Sequence, residues 1–180
     1  MNIRALFSTD QRTRILRDVA YQTQTINVTK TARRLGLSKG LVSKYLKILQ
    51  EEGVLQQRDG DYTVADTTAT KAIRILLNLS ALHDGFFTGR PIIRAAGLYG
   101  SAAKGTNTEG SDTDLWILTE NASQDTLAKL TSDLRKTFGN VTPLYLTPGK
   151  LNLLRKTETN FYHSLVFGSI TLKGDDLETL

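Results

Sequence analysis

The chain alternates between stretches with helical apolar spacing and short extended runs, and glycine-bearing turns separate them. Asp10 to Tyr21 carries Ile15, Leu16, Val19 and Ala20 at helical intervals, with Ser8 or Thr9 placed to cap it. Val28 to Leu35 predicts a short helix that ends at Gly36, a residue type that tolerates the left-handed position after a helix. Leu37 follows as an apolar plug, and Ser38 is placed to cap a helix from Lys39 to Glu52. On that helix Val42, Tyr45, Leu46 and Leu49 share one face. Lys39, Ser43 and Lys47 share another, with Lys44 beside it. Gly53 closes the helix. Val54–Arg58 and Asp61–Val64 then flank Asp59-Gly60, a strong signal for a two-residue hairpin.

Asp66 is placed to cap a helix starting near Thr67. Its apolar residues Ala69, Ile73, Leu76, Leu77 and Leu82, among others, cover more than one face. Such a helix is expected to be buried on several sides. It lies either inside one compact chain or between the first segment and a second domain or second copy, which makes it a candidate homodimer surface. Asp84-Gly85 ends it, and the stretch through Arg90-Pro91 reads as a linker.

The second half begins with an apolar strand that runs into Gly100-Ser101. A helical turn, Gly105 and a polar loop follow. A further strand opens with Asp112-x-Asp114 and continues as Leu115-Trp116-Ile117-Leu118. Ser123 caps a helix over Gln124–Phe138, whose apolar face is Leu127, Leu130, Leu134 and Phe138, and Gly139 ends it. A strand at Val141–Leu146 comes next. Thr147 then caps a helix with Pro148 in its first position. A helix over Glu158–Phe167 and a strand near Ile170–Lys173 complete the pattern. The expected organisation is residues 1–65, a connecting helix 66–84, and a domain 85–180.

Charge sharpens this division. Among 180 residues, 23 are Lys or Arg and 18 are Asp or Glu, a formal net charge of +5. Residues 1–84 hold 13 basic and 8 acidic groups, whereas residues 85–180 hold 10 of each. The whole basic excess therefore lies in the first half, as expected of a polyanion-binding module joined to a neutral one. There is no cysteine, which excludes disulfides, thiolate metal sites and a cysteine nucleophile. His83 and His163 are too few for a multi-histidine zinc site. No apolar run is long enough for a membrane span, and Met1 to Phe7 is too short in its apolar part for a signal peptide. A cytoplasmic protein without membrane association is the default expectation.

The run from Val28 to Lys47, with the hairpin behind it, resembles a winged helix-turn-helix domain of the kind found in prokaryotic transcription regulators. The resemblance implies that the helix from Lys39 enters the major groove of DNA. Lys39, Ser43, Lys44 and Lys47 would then reach base edges or phosphates, and Arg58 at the wing would reach the flanking backbone. The alternative is a winged helix that serves protein contacts alone, with its lysines as a solvated face.

Carboxylates at i and i+2 on a strand point to the same face. Two hard oxygen donors beside a Gly-Ser turn suit Mg2+. Gly100 lets backbone approach a phosphate, Ser101 adds a hydroxyl, and the amides at the helix start attract an anion. The arrangement resembles the nucleotidyltransferase superfamily that includes DNA polymerase beta. With Gly105 and Ser111 also in place, residues 85–180 are most similar to the minimal nucleotidyltransferases of prokaryotes. The resemblance implies an α+β protein: an N-terminal winged helix-turn-helix plus a small mixed-sheet α/β nucleotidyltransferase fold. It also implies that Asp112 and Asp114 hold Mg2+, that Gly100, Ser101, Lys104, Gly105 and Ser111 surround a nucleoside triphosphate, ATP first among them, and that a nucleoside monophosphate passes to a hydroxyl acceptor.

One departure matters. Relatives that transfer carry a third carboxylate on the strand after the long helix, and here Val141-Thr142-Pro143-Leu144-Tyr145-Leu146-Thr147 has none. In a two-metal scheme that carboxylate serves mainly the ion that activates the attacking hydroxyl. Its loss should spare nucleotide binding and damage transfer unless Glu120 or Glu158 substitutes. The competing expectations are therefore an enzyme, a catalytically inactive transcription regulator, and an antitoxin-type partner of a small helical HEPN protein.

Overall fold

The computed structural model describes residues 2–82, 85–120 and 122–179. The expected helix end at Asp84, and His83 beside it, lie outside the described residues. The chain divides into two compact units, Met1–Leu77 with Asn107–Gly110, and Asn78–Thr106 with Ser111–Leu180.

The first unit contains α1 (Ile3–Phe7), α2 (Asp10–Val19), α3 (Val28–Leu35), α4 (Lys39–Glu51), the hairpin strands β1 (Leu55–Arg58) and β2 (Asp61–Val64), and the first part of α5 (Thr68–Ala81). Its local signals work as the residue types require. Thr9, not Ser8, caps α2, and Asn27 and Ser38 cap α3 and α4 by accepting from backbone amides two or three residues on. Each such cap is worth about 1 kcal/mol. Asp59 and Gly60 both have positive φ, 50° and 87°, as a two-residue primed turn needs, and Arg58 pairs with Asp61 across it. Ile26 forms a bridge to Tyr62, which adds a third extended segment to the hairpin.

One helix is added to the expected pattern of this region, and two readings change. The N-terminal stretch is a helix, α1, and its Leu6 is fully buried in the core with Ile15, Leu16, Val19, Val42, Leu46 and Leu49. The buried Tyr45 hydroxyl donates to the Leu6 carbonyl at 2.7 Å and fastens α4 to that helix. Thr67, not Asp66, caps α5: its hydroxyl accepts from the Thr70 amide at 3.2 Å, while Asp66 pairs with Lys71 at 3.0 Å. In α5, finally, Ile73, Arg74 and Leu77 are buried but Leu76 is half exposed, so burial is less complete than an all-round apolar pattern implies.

The second unit has α6 (Gly85–Thr88), β3 (Ile93–Leu98), α7 (Gly100–Lys104), β4 (Thr113–Thr119), α8 (Gln124–Phe138), β5 (Val141–Leu146), α9 (Pro148–Thr157), α10 (Thr159–Gly168) and β6 (Ile170–Lys173). The stretch expected to be a linker is the helix α6. Phe86 and Phe87 are buried, and both rings meet Phe138 of α8, at centroid distances of 5.1 and 5.9 Å. The four strands run in the order β5-β4-β3-β6. β4 and β5 are parallel, and β3 is antiparallel to both of its neighbours.

Alternation along β4 splits the unit into two layers. Leu115 and Ile117 face a core shared with α6, α7 and α8. Trp116 and Leu118 face a second core with Leu151 and Leu154 of α9 and Leu165 of α10. Among the described residues no helix is long and apolar enough to cross a membrane.

Candidate functional site

The end of the sheet at which β3 finishes and β4 and β5 begin collects the polar residues of the Gly-Ser and Asp-x-Asp segments. The Tyr99 amide donates to the Asp114 carbonyl at 3.0 Å, which holds the close of β3 against the opening of β4. Gly100 follows with φ of 69°, and a Cβ there would lie 3.2 Å from Asp114 Cγ and closer still to Oδ2. Only glycine lets the turn pass this close to the carboxylate. Ser101 is the second residue of α7, and its carbonyl accepts from the Thr106 amide at 3.0 Å. Gly105 closes α7 in the left-handed conformation. Lys104 lies at the far end of that helix, exposed, with its side chain beside Gly168 of α10. Ser111 and Asp112 sit in the loop just before β4, and Asp114 is the second residue of the strand.

Asp114 lies on the Trp116 face of the sheet, since it is two residues away on the same strand. It is partly buried, and its carboxyl pKa is raised, first by that burial and then by the charge of Asp112. Tyr99 is raised as well, by burial and then by Asp114. The two carboxylates therefore feel one another, and a divalent cation between them would relieve the repulsion.

Asp112 has partners that the sequence alone did not flag. Asn140 Nδ2 donates to its Oδ1, and Thr142 Oγ1 donates to its Oδ2 at 3.2 Å. A carboxylate offers about four acceptor positions, so two donors orient it and still leave room for a metal. The donor set, two hard oxygens next to a glycine turn, fits Mg2+.

The register of β4 on β5 sets Thr142 directly beside Asp114. In parallel strands such partners share a face, so a threonine hydroxyl occupies the position from which a third carboxylate would join the pair. Among the described residues no group of three or more His, Asp or Glu side chains is arranged to hold a metal. Neither Glu120 nor Glu158 joins the pair in such a group among the described residues. Glu120 closes the opposite end of β4, where it pairs with Arg94 at 2.5 Å, and Glu158 is an exposed residue at the junction of α9 and α10.

Because Asp114 is harder to ionise in the folded chain than in the unfolded one, the native state binds its proton more tightly. Its contribution to stability is greatest at low pH and is lost as pH rises from the ordinary carboxylate value through the raised one. Asp114→Asn should therefore raise the melting temperature of the metal-free protein at neutral pH, by about 2 °C, and the gain should vanish near pH 3. Thermal unfolding across pH checks this. A lower melting temperature at pH 7 would refute the stated electrostatics.

In the first unit, Lys39, Ser43, Lys44 and Lys47 are all exposed on α4, opposite its buried Val42, Tyr45, Leu46 and Leu49. Arg58 is exposed at the tip of the hairpin, next to the acidic Asp59. The five are thus on the solvent side of a helix-turn-helix with a wing.

The family described as winged helix-turn-helix DNA-binding matches residues 11–56. No curated protein matches the chain. Among solved structures, a chain from a toxin–antitoxin complex with AMP-PNP is 19% identical, with a TM-score of 0.38, over 62% of this chain and 77% of that one. A chain from the complex of the tri-AMPylated Shewanella oneidensis HEPN toxin with MNT antitoxin is 16% identical, with a TM-score of 0.34, over 58% and 73%. The family described as Polymerase beta, Nucleotidyltransferase matches residues 84–176, just over half of the chain and the whole of the site around Gly100, Asp112 and Asp114. Behind its winged helix-turn-helix, then, the chain belongs to the polymerase beta nucleotidyltransferase family.

Proposed function

We propose that this protein is a DNA-binding regulator whose nucleotidyltransferase domain holds a Mg2+–nucleoside triphosphate and reads it rather than turning it over. The observation that carries the reading is Thr142. It faces Asp114 where a third carboxylate would stand, and with Asn140 it holds Asp112 by hydrogen bonds.

In this reading Asp112 and Asp114 hold the metal, and the Gly100-Ser101 turn with the first amides of α7 receives the phosphates. Asn140 and Thr142 fix the Asp112 carboxylate. The metal's contribution would be to neutralise the triphosphate and bind it to the pair. Among the described residues no third carboxylate joins the pair, which leaves a second ion at an attacking hydroxyl without a ligand of that kind. The exposed basic stripe of α4 supplies the DNA contacts, through Lys39, Ser43, Lys44 and Lys47, with Arg58 on the flanking backbone. ATP is the expected nucleotide.

Two measurements on the full chain test this. Calorimetry should show Mg-ATP binding, and labelled ATP should give no transfer to the protein, to RNA or to an added protein. Efficient transfer would replace this reading by that of an enzyme, and absence of binding would refute it. For DNA, Lys44→Ala with Lys47→Ala should weaken binding and flatten the slope of log affinity against log salt by about two. An unchanged slope would reject that surface.

A further inference from the structure

Phe167 is an apolar side chain that the core does not use. It is 69% exposed at the end of α10, yet its ring is not isolated, because His163 lies one turn back at a centroid distance of 5.8 Å. α10 itself has a defined place. Its Tyr162 and Val166 pack in the same cluster as Tyr99, the residue beside Asp114, so the helix covers the sheet face on which the carboxylates lie. The register Leu98↔Ile170 sets the start of β6 against the end of β3. The segment Phe167-Gly168-Ser169 is therefore at the same end of the sheet as Gly100, one strand over, a spacing of about 5 Å. Gly168 lies against the Lys104 side chain of α7.

Beside Phe167 is a concavity of about 220 Å3, lined also by Ser169, Thr171, Asp176 and Glu178. Its chemistry is selective. An aromatic wall offers a stacking face, and hydroxyls and carboxylates accept from amino and hydroxyl groups. The two carboxylates repel phosphate. A nucleoside satisfies all three properties, and a bare triphosphate satisfies none.

We infer that Phe167 and this concavity receive the nucleoside end of the bound nucleotide, with the base stacked on the Phe167 ring. The inference rests on the reading that Gly100, Asp112 and Asp114 hold the metal-bound triphosphate. The carboxylates of Asp176 and Glu178 then orient the ligand by excluding its phosphates from this end, and base stacking on an aromatic ring supplies affinity.

The test compares Mg-ATP with Mg-tripolyphosphate, which has the phosphates and no nucleoside, by calorimetry on the full chain. The wild type should bind Mg-ATP about tenfold more tightly than Mg-tripolyphosphate. Phe167→Ala should erase most of that difference and leave tripolyphosphate binding unchanged, and Phe167→Trp should keep it. Thermal unfolding checks that each variant is folded, as an exposed position permits. Equal affinity of the wild type for both ligands would overturn the inference and leave the triphosphate site standing. So would a preference for ATP that survives Phe167→Ala. If the wild type binds neither ligand, the triphosphate reading fails, and the inference falls with it.

Discussion

Replacing Gly100 with alanine should weaken Mg-ATP binding sharply and destabilise the second unit. Two costs coincide at this residue. Its φ of 69° is left-handed, which costs a side chain on the order of 1 kcal/mol. The added methyl would also run into the Asp114 carboxylate, within 3.2 Å of Cγ and nearer to Oδ2. Asp114 cannot simply retreat: it is the second residue of β4, pinned by the Tyr99 amide on one side and by its register with Thr142 on the other. The turn and the metal ligand must move apart together. The melting temperature should fall by about 5 °C, and affinity for Mg-ATP by about a hundredfold or more. Gly53→Ala is the control. Gly53 has a similar φ of 74°, but a Cβ there meets nothing within 4 Å. It should show the backbone cost alone, with nucleotide binding intact. If Gly100→Ala also keeps nucleotide binding, the turn does not cradle phosphate.

What could be read directly from the chain was local. The two faces of α4 follow from helical spacing, and the Asp59-Gly60 turn from residue types that accept the positive φ angles of a tight hairpin turn. Ser123, Ser38 and Thr147 cap their helices because their side chains reach amides three residues ahead. The Gly-Ser and Asp-x-Asp segments were legible for the same reason, since each is a short piece of chain with its own chemistry.

The larger misreadings were cases in which a distant partner decides. Phe86 and Phe87 form too short an apolar run to show periodicity, and Phe138, some fifty residues later, turns the apparent linker into core. Asp66 and Thr67 are equally good caps by type, and it is the Thr67 hydroxyl that takes the Thr70 amide while Asp66 pairs with Lys71. Asn140 and Thr142 carry no signal of their own. They become part of the site only through the register of β5 on β4, which the neighbouring apolar residues set and the polar ones inherit. The same register turns a missing carboxylate into a specific occupant, and so identifies the substitution that tests it.

Thr142→Asp should convert the site. The side chain at this position shares the face of Asp114 and already reaches Asp112, since its hydroxyl donates to Oδ2 at 3.2 Å. An aspartate there replaces a donor by a third negative charge, so the metal-free variant pays for repulsion among three carboxylates. Its melting temperature should drop in chelator by several degrees, on the order of 5 °C, and recover when Mg2+ is added, more than the wild type gains from the same addition. Thr142→Asn, isosteric with the aspartate but neutral, should show neither the drop nor the recovery. Three carboxylates on one face can hold a pair of ions, one for the triphosphate and one for an attacking hydroxyl. Transfer of labelled nucleotide should therefore appear in Thr142→Asp, or rise at least about tenfold above the wild type. If the variant shows the Mg2+-dependent recovery without transfer, the third carboxylate is present and something else, such as a missing acceptor, limits the reaction. If it shows neither, Thr142 does not stand at the metal face. If wild-type transfer already matches that of the variant, the threonine is no barrier, and the protein is an enzyme that works with two carboxylates.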